Sequence, residues 1–398
     1  MDLSGHVIDG KYQLVSLAGE GGMASVYKAV VRGAAGFQRT VAVKHIKPEY
    51  RALKNYIDMF IEEARVGSEL AHPNIVQVHD FCSESGSYYL IMEWVEGIDL
   101  GAMIKAYREA GRDVPWPLAA AIGIGTLRGL GAAHDRVAPD GTPAPVIHRD
   151  VSPHNVLLGV NGAVKLSDFG LARARDRAAS LTAPGTVKGK LSYLAPEVTF
   201  GKPNTVQSDL FGVGSVLWET LTGDRLFEGK NDIEVFKKIR ACQIPSIQTR
   251  RKDVPAAFAA ILELALSAEP ANRYATADEF AHALDQVVKQ AVGFNSATAL
   301  GTAVAEVRGR LKQTTRDSDD QSTTEHRANL DLEISVDAVG AGPPELPDLS
   351  EPTALSELSP LYKGAEPTPN SITVPGFRRR PASEPEREPE PEPEKDKP

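Results

Sequence analysis

The hydrophobic pattern changes period once, near Gly97, and that switch restricts the fold more than any other feature of the chain. Before it, short apolar runs alternate with turn residues. Lys11–Ser16, Ser25–Val31, Val41–Ile46, Ile75–Val78 and Tyr88–Trp94 read as strands. One helical stretch interrupts them around Asn55–Leu70, where Ile57, Phe60, Ile61 and Ala64 recur at helical spacing. After Gly97 helical patterns dominate, at Leu118–His134, Thr205–Thr222, Ile233–Ala241, Ala256–Leu266 and Ala277–Val292, with one short strand at Val164–Leu166. Strands first and helices later is the order of two α+β lobes, not of alternating βαβ units.

Charge divides the chain a second time. Residues 315–398 hold 19 acidic and 9 basic residues, −10, which leaves about +1 of the net −9 to residues 1–314. Of the 28 prolines, 14 lie after residue 340. The front is a nearly neutral globular body, and residues 315–398 an acidic, Pro-rich tail expected to be disordered, since it offers too little apolar area to offset its chain entropy. Residues 291–314 are expected to be a helical extension, with a helix over 296–312 and Ser296 as its N-cap. No basic footprint for nucleic acid exists. Cys82 and Cys242 are too few and too distant for a disulfide framework or a Cys-based zinc site. The best membrane candidate, Ala119–Gly131, is interrupted by Arg128, so no membrane span is expected. Met1-Asp2-Leu3-Ser4 lacks the pattern of a signal peptide, and the expected compartment is a reducing cytoplasm.

Three groups of residues carry chemistry. Gly19-Glu20-Gly21-Gly22-Met23-Ala24-Ser25-Val26 lies between two strands, where small residues let backbone N–H groups close over phosphates. A strand follows it, not a helix, so it is no Rossmann fingerprint, and no Walker A sequence is present. Lys44 ends the run Val41-Ala42-Val43, and Glu63 on the following helix could neutralise it. His148-Arg149-Asp150 with Asn155, then Asp168-Phe169-Gly170 after Val164–Leu166, could place a base and two metal-binding oxygens in one site.

In that order and spacing these motifs resemble the eukaryotic-type (Hanks-type) protein kinases, specifically their bacterial Ser/Thr branch. Further matches are His72-Pro73-Asn74-Ile75-Val76, Ala195-Pro196-Glu197, Asp209–Gly214 and Arg273. The resemblance covers about residues 9–290 and implies a bilobal fold, with an N-lobe of about 9–96 and a C-lobe of about 97–290. It implies an ATP site in the cleft between them. Ala18, Gly19, Glu20, Gly21, Gly22, Met23, Ala24 and Ser25 would cover the nucleotide. Val26, Ala42 and Leu157 would sandwich the base, with Met92 as gatekeeper and the hinge residues Glu93 and Val95 bonding adenine through their backbone. Lys44, positioned by Glu63, would hold the α- and β-phosphates. Asn155 and Asp168 would hold Mg²⁺, and Asp150 would accept the proton of the substrate hydroxyl. Asp209 would anchor the catalytic loop, and Glu197 would pair with Arg273.

The sequence departs from the family at three positions. The third loop glycine is Ala24. Ser152 stands two residues after Asp150, where Ser/Thr kinases carry a Lys used on the γ-phosphate. Lys190 stands three residues before Tyr193, where they carry a Thr. Either Lys190 reaches across to replace the missing charge, or it is a solvated loop residue and Ser152 weakens activity. Pro153 matches the Ser/Thr pattern. Arg149 implies an activation segment ordered by phosphate, with Ser180, Thr182 and Thr186 as acceptors and Arg173, Arg175, Arg177 and Lys188 as supplementary cations.

The expected activity is therefore ATP-dependent phosphorylation of Ser/Thr hydroxyls on protein substrates in bacterial signalling, with autophosphorylation. The alternative is a nucleotide-binding pseudokinase or scaffold whose tail recruits regulatory partners. A transient homodimer is a further expected partner state.

Overall fold

The computed structural model describes residues 2–169, 190–291 and 294–313. Its first part is a six-stranded antiparallel sheet in the order β1-β2-β3-β4-β6-β5, built from β1 (Val7–Ile8), β2 (Tyr12–Glu20), β3 (Ala24–Arg32), β4 (Gln38–Ile46), β5 (Val78–Glu84) and β6 (Ser87–Glu93). β3 and β4 pair without a break from Ala24↔Ile46 to Arg32↔Gln38. Successive residues therefore alternate between two faces. One face buries Tyr27, Ala29, Val41 and Val43 beneath Ile8 of the N-terminal strand. The other carries Val26, Ala42 and Lys44. Helix α1 (Lys54–Glu69) packs Phe60 and Ala64 against Ile46 and Leu90 on that second face, so the residue between them, Glu63, arrives beside Lys44.

Of the run Ile75–Val78, only Val78 joins this sheet. β5 begins at Val78, and Ile75 instead forms an isolated parallel bridge to Leu166. The reason is burial: Ile75 is 2% exposed and belongs to the core of the helical part. β5 and β6 turn over at Ser85 and Gly86, both at positive φ, as a two-residue hairpin requires.

The second part opens with a three-stranded sheet, β7 (Gly97–Asp99), β8 (Val156–Gly159) and β9 (Val164–Leu166). Helix α2 (Leu100–Glu109) was not legible from spacing; Asp99 caps it by accepting from the Ala102 N–H at 3.0 Å. Helices α3 (Trp116–His134) and Val206–Thr222 are buried almost all round. The helix starting at Ala277 stops at Val288, four residues short of the expected Val292. Its apolar stripe runs out at polar Lys289 and Gln290, whose N–H groups close the last turn on Asp285 and Val287.

A helix does follow, over 296–313. Its cap is Asn295, not Ser296: the Asn295 Oδ1 accepts from the Thr298 N–H at 3.1 Å, and its carbonyl accepts from Ala299. This C-terminal helix buries Leu300, Ala303, Val304 and Val307 in the core of the helical part. Cys82 and Cys242 are unpaired and half-buried. Among the described residues no helix is long and apolar enough to cross a membrane.

Candidate active site

β3 and β4 place Val26 directly opposite Lys44 across the ladder, with Ala42 on the same face. The hairpin ahead of them, residues 18–25, is tied by Gly21 N–H to the Ala24 carbonyl at 2.8 Å. None of Gly19, Gly21, Gly22 and Ala24 adopts a left-handed φ. A Cβ at Gly19 or Gly22 would meet nothing within 4 Å. Ala24 therefore costs the turn no backbone strain, and the small residues keep space open over the cleft.

The Lys44 ammonium donates to Glu63 Oε1 at 2.6 Å and to Asp168 Oδ1 at 2.5 Å. Burial alone would pull the Lys44 pKa down; the carboxylates of Asp168 and Glu63 outweigh it and raise it. Burial pushes the Glu63 carboxyl above its ordinary value, with the Lys44 charge opposing the shift. The cluster carries two carboxylates on one ammonium. Asp168 is the more open of the two, its side chain 40% exposed, and its backbone is held at φ 58°.

The loop that carries His148, Arg149 and Asp150 is fixed from beneath. Asp209, 2% exposed, accepts from the His148 N–H at Oδ2 and from the Arg149 N–H at Oδ1, both at 2.8 Å. His134 Nε2 lies 2.9 Å from the same Oδ2. Motif spacing points to Asp209 but not to His134, which ends α3 and has no local signal for this role. These bonds hold Arg149 at φ 67°, and that turn delivers Asp150 to the cleft. The His148 ring spans the site's floor: Nδ1 accepts from the Asp150 N–H at 3.2 Å, and Nε2 lies 3.0 Å from the Ser167 carbonyl. Its ring lies 4.8 Å from that of Phe169.

Asn155 donates through Nδ2 to the Asp150 carbonyl at 2.7 Å and to its Oδ2 at 3.2 Å. The Ser167 Oγ lies 3.3 Å from both the Asn155 backbone carbonyl and Asp168 Oδ2, which ties the backbone at Asn155 to the Asp168 carboxylate, and Asn155 and Asp168 bring a carboxamide oxygen and a carboxylate to this part of the chain. Oxygen donors of this kind fit Mg²⁺. Leu157, half-buried on β8, pairs with Asp99 and Lys165. Glu93 and Val95, the expected hinge residues, are half-buried, and the Glu93 carboxylate is held by Lys165 at 2.8 Å. Glu197 and Arg273 form a bidentate pair at 2.8 Å, both buried. Ser152 is 2% exposed, and its Oγ has no hydrogen-bond partner among the described residues. The Lys190 side chain lies outside the described residues, as do Gly170, Arg173, Arg175, Arg177, Ser180, Thr182, Thr186, Lys188 and the tail.

The geometry agrees with what similar proteins are. The protein kinase domain model matches residues 12–285. The tyrosine-protein kinase MasK of Myxococcus xanthus is 34% identical over 374 residues, covering 94% of this chain and 56% of that protein. The serine/threonine-protein kinase PrkC of Bacillus subtilis is 33% identical, over 70% of this chain and 40% of its own length. The serine/threonine-protein kinase PknA of Mycobacterium tuberculosis is 34% identical, over 71% of this chain and 62% of its own length. The chain thus spans between two fifths and about three fifths of the length of these relatives. Among solved structures, the Mycobacterium tuberculosis PknI kinase domain superposes with a TM-score of 0.53 at 26% identity, covering 72% of this chain and 99% of that one. The chain therefore belongs to the protein kinase family, in its eukaryotic-type (Hanks-type) branch.

Proposed function

We propose that the chain is an ATP-dependent protein kinase that phosphorylates Ser/Thr hydroxyls on protein substrates in bacterial signalling. The observation that carries this reading is the pair of linked clusters, Lys44 with Glu63 and Asp168, and Asp150 with Asn155. A pseudokinase reading has little to stand on when all five groups are present and brought together.

Each residue then has a task. Lys44, oriented by Glu63, binds the α- and β-phosphate oxygens of ATP. Val26, Ala42 and Leu157 enclose the base, and the backbone at Glu93 and Val95 bonds its edge. The loop Ala18–Val26 closes over the phosphates. Asp150 orients the substrate hydroxyl and takes its proton as the oxygen attacks the γ-phosphorus; the bond to the β–γ bridging oxygen breaks and ADP leaves. Asn155 and Asp168 would hold Mg²⁺, which supplies charge neutralisation on the phosphates when bound. Catalysis is mainly positioning and charge stabilisation.

Lys190 is proposed to supply the positive charge that Ser152 lacks. The burial of Ser152, with its hydroxyl unpartnered among the described residues, supports looking elsewhere for that charge. Lys190→Met should lower turnover roughly tens-fold or more, since about 1.4 kcal/mol is tenfold; near-wild-type turnover ends the idea.

Domain limits of 9–290 for the kinase, autophosphorylation at Ser180, Thr182 or Thr186, tail-bound regulatory partners, a transient homodimer and a cytoplasmic location belong to the same proposal. A second reading, tyrosine as acceptor, is favoured by the name of MasK and by the absence of Lys at position 152. Incubation with radiolabelled ATP, with Asp150→Asn as control, followed by phosphoamino-acid analysis, tests both. Phosphoserine or phosphothreonine on wild type alone supports the first reading, and phosphotyrosine the second. No label on wild type overturns both.

A further inference from the structure

The C-terminal helix, 296–313, begins beyond the matched domain of residues 12–285, yet it is seated in the lobe that carries the catalytic loop. Leu300, Val304 and Val307 are each no more than 3% exposed. The helix meets the β8–β9 turn backbone to backbone. A Cβ at Gly301 would lie 2.6 Å from the Val160 carbonyl oxygen. A Cβ at Gly162, where φ is +80°, would lie 2.1 Å from the Ala297 carbonyl oxygen. Backbone rests on backbone, and only glycine fits. The Val160 N–H in turn donates to the Glu96 carbonyl at 2.9 Å. Helix, turn and hinge are therefore one stack.

Side chains close the same circuit. The Glu96 carboxylate takes three partners from three parts of the chain: Arg308 on the C-terminal helix, the Trp94 Nε1–H at 2.6 Å and the Lys28 ammonium at 3.6 Å. Lys28 stands on β3 opposite Ala42, and its ammonium lies 5.1 Å from the Trp94 ring centroid. Glu96 thus joins the strand lobe, the hinge and the helix. Arg112 and Glu306, 3.0 Å apart, fasten the helix a second time. Trp94 and Glu96 flank Val95, whose backbone is proposed above to bond the base.

We infer that Arg308 is a positioning residue for nucleotide binding: from a helix outside the matched domain it holds Glu96, and through Glu96 the backbone at Trp94 and Val95. The inference rests on the nucleotide site proposed above. Arg308 touches no reacting atom. Its loss loosens the grip on the base without disturbing Lys44, Asp150 or Asp168. The signature is a rise in KM for ATP with kcat preserved.

The test uses the full chain. Dissociation constants for a non-hydrolysable ATP analogue with Mg²⁺ are measured by calorimetry, and KM and kcat by turnover, for wild type, Arg308→Ala, Arg308→Lys, Glu96→Gln and the Arg308→Ala/Glu96→Gln double variant. Arg308→Ala should weaken binding and raise KM roughly threefold to tenfold, with kcat within about twofold, the range open to a partly exposed ion pair that positions a ligand. Arg308→Lys should recover most of the loss, and the double variant should be no weaker than Arg308→Ala, because the two residues act through one contact. Unchanged affinity in Arg308→Ala while wild type binds overturns the inference alone. A loss confined to kcat, or one that Arg308→Lys leaves in place, also overturns it. A wild-type chain that takes up no nucleotide overturns the reading beneath it. Should Arg308→Ala melt too low to assay, Glu96→Gln takes its place, since it leaves the helix's apolar face intact: weaker binding with kcat preserved supports the inference, and unchanged affinity overturns it.

Discussion

Three ionic clusters in this molecule fall into two kinds. Around Asp209 and around Glu197–Arg273, opposite charges or N–H donors match the carboxylate oxygens, and the groups are sealed from water. Around Lys44, two carboxylates share one ammonium, and one of them, Asp168, is open to the cleft and held at a strained backbone angle. The matched clusters are complete as they stand and act as scaffold. The Lys44 cluster is the one that faces the cleft, where the proposed function places the phosphates and Mg²⁺. Charge sealed from water marks structure here, and charge open to the cleft marks the candidate site.

The contrast can be broken by substitution. Lys44→Met should cut kcat about 10²- to 10³-fold and leave the melting temperature nearly unchanged; a large fall in melting temperature with kcat intact would place Lys44 among the scaffold groups. Arg273→Ala should do the reverse. It leaves Glu197 buried and unpaired, so denaturant unfolding should show a loss of roughly 3–5 kcal/mol. His134→Ala removes one of three bonds to Asp209 and should cost about 1–3 kcal/mol, with a smaller effect on turnover because both backbone bonds remain; an unaltered unfolding curve would remove His134 from the anchor. The smallest effect concerns pH. His45 is buried against Tyr89 with Arg51 beside it, and burial lowers its pKa from 6.5 to about 4. Its neutral form is the folded one, so its contribution to stability is full above pH 6.5 and is lost as pH falls toward 4. His45→Phe should flatten the decline of melting temperature across that window, and an unchanged slope would assign the decline to other groups.

The lobes were legible because period and order are local properties of the chain. Lys44, Asp150, Asn155 and Asp168 stand out as candidates because their neighbours are stereotyped. What escaped is whatever depends on a distant surface. Ile75–Val78 has strand composition, but its first residue is claimed by the core of the helical part. α2 is a short helix whose start is fixed by Asp99, not by a long apolar stripe. The end of the helix at Val288 and the shift of the cap from Ser296 to Asn295 are matters of one turn, which hydrophobic spacing cannot resolve. His134 and Arg308 find their partners 75 and 212 positions away, and nothing local announces either.

The seat of the C-terminal helix bears on how this protein can be cut. A fragment ending at residue 285, where the family's domain stops, would strip the cover from the patch that receives Leu300, Val304 and Val307. It would present an oily scar beside the β8–β9 turn, and such scars stick to one another. Shortened versions meant for study should therefore stop after residue 313, because the natural edge of the folded body lies at least 28 residues past the edge of the family.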